Sequence, residues 1–222
     1  MHLPTITPSG GATPDHDGSR RQFMVSAAGA ALLPLASPAQ AAVTLEGVTL
    51  DETIMVGNRK LVLNGAGVRR RGYFKADVTA LYLPEKRTTP ESIFKLDGYR
   101  RIQLNILRDF TSSTISRIFI SDFKQAATEE EFKKLIEVIS LVGGAYSNVK
   151  RVTKGDVVDL DWVPGKGWMA FMNGKALQVE GAGADAINNE LAYQVYLRMY
   201  IGASAPEDLR NGLLGLTKLN KV

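Results

Sequence analysis

The sequence predicts an α+β fold: an antiparallel β-sheet with helices packed on one face. Three observations lead there. Short strand-like runs fill the chain from Val43 to Leu107, and the long helical spacings come later. Strands and helices do not alternate strictly, which argues against parallel βαβ units. Tight turn signals such as Gly57-Asn58 and Asn173-Gly174 join consecutive strand-like runs directly, as antiparallel neighbours require. With 222 residues, 45% of them apolar and 23% charged, the chain can bury one substantial core.

The N-terminus stands apart. Residues 1–18 are polar, rich in Pro, Gly and Thr, and aperiodic, so they read as a disordered leader. Arg20-Arg21 then precede Phe23 and the apolar run Val25–Leu35, and Ala39-Gln40-Ala41 offers small residues to a signal peptidase. Together these are the parts of a secretory signal, and the paired arginines resemble a twin-arginine signal. An uncleaved amphipathic anchor is the alternative. The run falls short of the ~20 residues that span a bilayer, so the mature form is expected to have no transmembrane segment. Cleavage after Ala41 leaves residues 42–222 as one exported, periplasmic domain. Without cysteine, that domain must hold together with no disulfide.

Val43–Leu50 alternates weakly around Gly47 and reads as one strand or two short ones. Thr53–Val56 is a further short strand. Thr89-Pro90-Glu91 starts a short helix, with Thr as cap, Pro in the first turn and Glu near the positive end of the dipole; it stops by Gly98. Arg100–Leu107 places Ile102, Leu104 and Ile106 on one strand face. Ser113–Ala126 has helical spacing: Ile115, Ile118 and Phe119 form an apolar stripe, and Asp122 falls on it. Either that carboxylate is buried and partnered, or it lies in water at the stripe's edge. Glu129–Val142 reads as one helix, supported by Glu130 and Lys134 and ended by Gly143-Gly144. Lys154–Val163, Trp168–Met172 and Lys175–Val179 form a meander. In it Trp162 and Trp168 pack across strands, and Asp159 and Asp161 share one face, read as solvated in preference to metal-ligating. Ala184–Tyr200 is a long helix and Pro206–Leu216 a short last one.

Composition excludes several chemistries. There is no Cys, and both His residues, His2 and His16, lie in the leader. The body therefore has no imidazole base, thiol nucleophile or His-ligated zinc. A metal would need oxygen ligands alone; no metal and no cofactor are expected. The net charge of +4 is too small and scattered to imply nucleic acid.

The stretch Leu61–Glu85 organises the rest. Leu61-Val62-Leu63 is apolar, Asn64-Gly65-Ala66-Gly67 reads as a bend, and Arg69, Arg70 and Arg71 follow at its mouth. A second apolar run, Tyr73 to Leu83, stops at Pro84. The two glycines serve the backbone rather than a phosphate, since the third glycine of a nucleotide loop is missing. Strand alternation puts Arg69 and Arg71 on one face and Arg70 on the other. A guanidinium fork inside a sheet edge matches the two oxygens of a carboxylate.

Gly65-Ala66-Gly67-Val68-Arg69, then Phe74-Lys75, then Ala80-Leu81-Tyr82-Leu83 resemble the core signature of the chalcone isomerase-like superfamily, most of all its bacterial branch. The resemblance runs from Val43 to the C-terminus and implies that superfamily's open-faced sandwich. It implies less about activity, because the superfamily holds isomerases, fatty-acid binders and members without known activity. In the plant isomerases the arginine matching Arg69 stabilises developing enolate charge; in the fatty-acid binders it holds the lipid carboxylate. The other cleft positions depart from the isomerases. Asp77 stands for Thr, Asp122 for Asn, Ile115 for Tyr, and Met199 for Thr or Ser.

The resemblance thus implies a small apolar or amphipathic ligand with an acidic head at Arg69, bounded by Asp77, Ile115, Phe119, Asp122 and Met199. Two alternatives remain. One is an isomerase or intramolecular lyase acting on an enone-like substrate, with Arg69 as electrostatic stabiliser and Asp77 or Asp122 as acid or base. The other is a structural protein whose cleft is filled by its own side chains, with Arg69 paired to Asp77 or Asp122.

Overall fold

The computed structural model describes residues 41–178 and 185–222. The leader, the signal sequence up to Gln40, Val179 and Ala184 lie outside the described residues. A single antiparallel sheet organises the rest. Its strands are β3 (Thr53–Val56), β4 (Arg59–Arg71), β5 (Phe74–Leu83), β6 (Arg100–Ile106), β9 (Val157–Val163), β10 (Gly167–Met172) and β11 (Lys175–Ala176). They run β11-β10-β9-β6-β5-β4-β3 across the sheet, with β12 (Ala186–Ile187) added beside β10. A separate small sheet, in the order β13-β1-β2, joins β1 (Ala42–Leu45) and β2 (Val48–Asp51) to β13 (Asn220–Lys221). A third pairs β7 (Phe110–Thr111) with β8 (Arg151–Val152).

Alternation assigns the two faces. Leu81 and Leu83 of β5, Ile102, Leu104 and Ile106 of β6, and Val158, Leu160 and Trp162 of β9 face the helices. There they meet α2 (Ser112–Ala126), α4 (Ile136–Asn148), α5 (Glu190–Ile201) and α6 (Glu207–Leu213) through Phe119, Phe123, Ile139, Tyr193, Tyr196 and Leu209. Trp162 and Trp168 are register partners across β9–β10, and both rings pack on Tyr193. Val78, Ala80 and Tyr82 point the other way, into a smaller cluster with Val43 and Leu50 of the small sheet. α1 (Pro90–Phe94) begins as its sequence requires: the Thr89 side chain accepts from Ser92 N at 3.4 Å.

The expected bend at Asn64–Gly67 is instead the middle of β4, which runs unbroken to Arg71; the reversal falls at Gly72-Tyr73. The glycines are there because α6 crosses the strand in near contact. A Cβ on Gly65 would stand 2.1 Å from Gly212 O, and one on Gly212 would stand 2.4 Å from Ala66 O. Asn64 is the extra residue of a bulge between Leu63 and Gly65. Its amide donates to Leu213 O at 2.7 Å and its carbonyl accepts from Arg87 N at 2.7 Å, tying the end of α6 to the strand.

Other expectations are corrected. The stretch Glu129–Val142 is two helices, α3 (Glu129–Lys134) and α4, broken at Leu135, and Gly143-Gly144 lie inside α4. The α3 ion pair joins Lys133 to Glu129, not Lys134 to Glu130. The helix expected over Ala184–Tyr200 starts only at Glu190, where Asn189 caps it, and Ala186–Ile187 is extended. Asp159 and Asp161 are buried, not solvated: Arg101 on β6 binds Asp161 at 2.6 and 2.7 Å, and Gln103 donates to Asp159 at 2.9 Å. Alternation chose their face correctly, but charge-matched neighbours keep water off it.

Candidate ligand site

Arg69 lies two residues before the end of β4, directly opposite Asp77 in the strand register. Its Nε donates to Asp77 Oδ2 at 2.7 Å, and Thr79 Oγ1 donates to the other carboxylate oxygen at 2.6 Å. Nη1 donates to the Tyr200 hydroxyl at 3.2 Å, which in turn shares a 2.8 Å hydrogen bond with the Tyr196 hydroxyl. Both tyrosines come from one face of α5, at i,i+4 spacing. The guanidinium carbon sits 5.3 Å from the Tyr200 ring centre, a cation–π distance. Nη2 has no hydrogen-bond partner among the described residues.

Electrostatics keep this cluster in a fixed state. Burial alone would pull the Arg69 pKa down, but Asp77, with Tyr200 and Tyr196, outweighs it and the group is held above its ordinary value. Burial first of all pushes the Tyr200, Tyr196 and Tyr146 hydroxyls up, so all three stay neutral donors through neutral pH.

Beside the guanidinium is a cavity of about 70 Å³. Its walls are mostly apolar, among them Leu104, Ile106, Ile115, Ile118, Phe119 and Met199. Tyr146 of α4 also lines it, and the Tyr146 hydroxyl makes no hydrogen bond to any described residue. The cavity is flanked on both sides. A polar one of about 110 Å³ shares Arg69, Arg71 and Met199 with it and adds Asp122 and Gln125. An apolar one of about 30 Å³ shares Tyr146 and Val158 and leads to Trp168 and Leu177. An apolar cavity of ~150 Å³ is what benzene fills, so a longer chain enters only as the shared side chains yield. Met199 is flexible and soft, suited to that.

The sequence candidates separate. Arg69, Asp77, Ile115, Phe119 and Met199 come together around the central cavity. Asp122 does not join them: it sits at the polar mouth and pairs with Arg71, so of the two acids offered to Arg69 only Asp77 takes it. Tyr146, Tyr196 and Tyr200 were not among the candidates. The i,i+4 pair on one helix was a readable signal for two of them; nothing local marked Tyr146. Among the described residues no group of three acidic side chains is placed to hold a metal.

A family model described as chalcone isomerase-like matches residues 42–215. The chain belongs to the chalcone isomerase-like family. Among solved structures, a fatty-acid binding protein of Arabidopsis thaliana is similar to this family member with a TM-score of 0.61 and 14% identity, over 78% of this chain and 95% of that one. At that identity the likeness is one of fold. No curated protein sequence matches.

Proposed function

We propose that this chalcone isomerase-like protein binds a small amphipathic molecule of fatty-acid type, with its acidic head at Arg69 and its chain among the apolar walls. One observation carries the reading. Two hydrogen-bond donors, Arg69 Nη2 and the Tyr146 hydroxyl, stand unpartnered at the edge of an apolar cavity. Both side chains line the cavity and stay open to a ligand, and a carboxylate would accept from both in strong, charge-assisted bonds. Asp77 balances the charge of the arginine and holds its fork in place through Nε. The similar Arabidopsis thaliana structure, a fatty-acid binding protein, supports the same ligand class. The isomerase alternative needs a free acid or base, and Asp77 and Asp122 are each held by an arginine.

The test is lipid extraction and mass spectrometry of the purified protein, followed by titration with dodecanoate. We expect copurified lipid and saturable binding that weakens at least tenfold in Arg69→Ala, roughly the value of one charge-assisted hydrogen bond. No lipid, with superposable curves for the two proteins, would refute it. The ligand would be met outside the cytoplasm: the leader is proposed to direct export, with cleavage after Ala41. Cell fractionation and N-terminal sequencing of the mature protein check this.

A further inference from the structure

The tip of the β4–β5 hairpin holds two rings that the core does not take up. It reads Arg70-Arg71-Gly72-Tyr73-Phe74-Lys75, reversing at Gly72 with φ +57°. Tyr73 is 98% exposed and Phe74 58%. Single exposed apolar side chains are ordinary, but these are two adjacent rings at the end of a hairpin, surrounded by cations. Arg108, from the segment after β6, lays its guanidinium over the Phe74 ring at 4.0 Å. Arg70 is exposed, and neither Arg70 nor Arg108 forms an ion pair among the described residues. Lys75 reaches Glu46 at 2.6 Å and Arg71 reaches Asp122, so two of these cations are matched and two are not.

We propose that this tip docks on an anionic lipid bilayer, Tyr73 and Phe74 entering the headgroup layer while Arg70 and Arg108 pair with lipid phosphates. A tyrosine ring with its polar edge favours the water–lipid boundary, and the adjacent Phe74 ring adds apolar contact there. Arginine forks match phosphate oxygens, and basic groups gain from the negative surface potential of such a membrane. The shape fits the same partner. Two rings, one on the turn and one on the first residue of β5, are a narrow projection, far from the ~800 Å² per partner of a stable protein interface. The flanking residues Arg69, Arg71 and Ala76 line the cavity. Docking would therefore bring the mouth of the site to the surface where amphipathic molecules reside.

The test uses the full chain carrying Tyr73→Trp, with vesicles of phosphatidylcholine alone or mixed with phosphatidylglycerol. Trp162 and Trp168 are buried and supply a constant background. On mixed vesicles, the reporter's emission should shift to the blue and be quenched by brominated lipid. It should do neither on phosphatidylcholine, and salt should weaken both effects. Reversing the two unmatched charges, Arg70→Glu with Arg108→Glu, should lower partitioning about tenfold or more. If the leader alone holds the chain on vesicles, the reporter stays in water. That result, or charge reversal without effect, would overturn the proposal. No cavity ligand is needed in this experiment, so it can fail while dodecanoate binding stands, and the reverse.

Discussion

Replacing Asp77 by asparagine should weaken the fold and strengthen ligand binding at once. The Asp77 side chain is 1% exposed and that of Arg69 16%. Removing one member of a buried ion pair costs about 3–5 kcal/mol, mostly for the charge left behind. The asparagine carbonyl can still accept from Thr79, and Arg69 keeps Tyr200 and some water, so the expected loss is about 2–3 kcal/mol. For a domain of this size each kcal/mol lowers the melting temperature by roughly 2–4 °C, which gives a fall of about 5–10 °C. The freed Nε and the unbalanced positive charge then attract a carboxylate more strongly. Thermal unfolding followed by circular dichroism, with and without dodecanoate, reads both effects: a lower melting point without ligand, and a larger rise on saturation than in the wild type. A melting point within about 1 °C of wild type, or an unchanged rise with dodecanoate, would refute the reasoning.

Gly212→Ala should destabilise by about 3 kcal/mol or more in urea, because the new methyl meets backbone rather than a side chain that can move. Arg100→Met should leave the urea midpoint unchanged or raised: Arg100 is 0% exposed, its Nε and Nη1 are buried without partners, and Glu190, its 3.1 Å partner through Nη2, is half-exposed and keeps its water when the arginine is gone. A loss above about 2 kcal/mol would mean that its stacking on Trp162 and Tyr193 outweighs those bare donors. Hydrogen bonds from Asn173 and Thr153 hold the Asp156 carboxyl below its ordinary range. The stability this gives is present above the unfolded value of ~3.9 and is lost as pH falls through the folded one. Asp156→Asn should therefore cost ~1 kcal/mol at neutral pH, with the deficit shrinking in unfolding curves taken in acid.

Local signals were legible and remote ones were not. Thr89-Pro90 announced α1 because a cap and a first-turn proline act within four residues. Alternation found β6 and its inward face for the same reason. Gly65 and Gly67 misled, since their cause is a helix some 145 residues further on (Gly212 against Ala66), which no window sees. The break at Leu135 carries neither Gly nor Pro. Arg69 could be read from its strand position and from the family signature. Its arrangement with Tyr200 and Tyr146 could not, because it arises where β4, α4 and α5 converge. The acids show the same limit: sequence offered Asp77 and Asp122 equally, and register alone gave Arg69 to the one directly across the sheet.

A bound amphipath should lay its carboxylate against Arg69. The most direct measurement is the carbon-13 carboxyl resonance of labelled dodecanoate, followed through an acid titration of the complex. A distinct bound signal should stay ionised well below the ~4.3 of an ordinary side-chain carboxyl and be lost in Arg69→Met. A bound signal that titrates like free dodecanoate, or that persists unchanged in Arg69→Met, would contradict it.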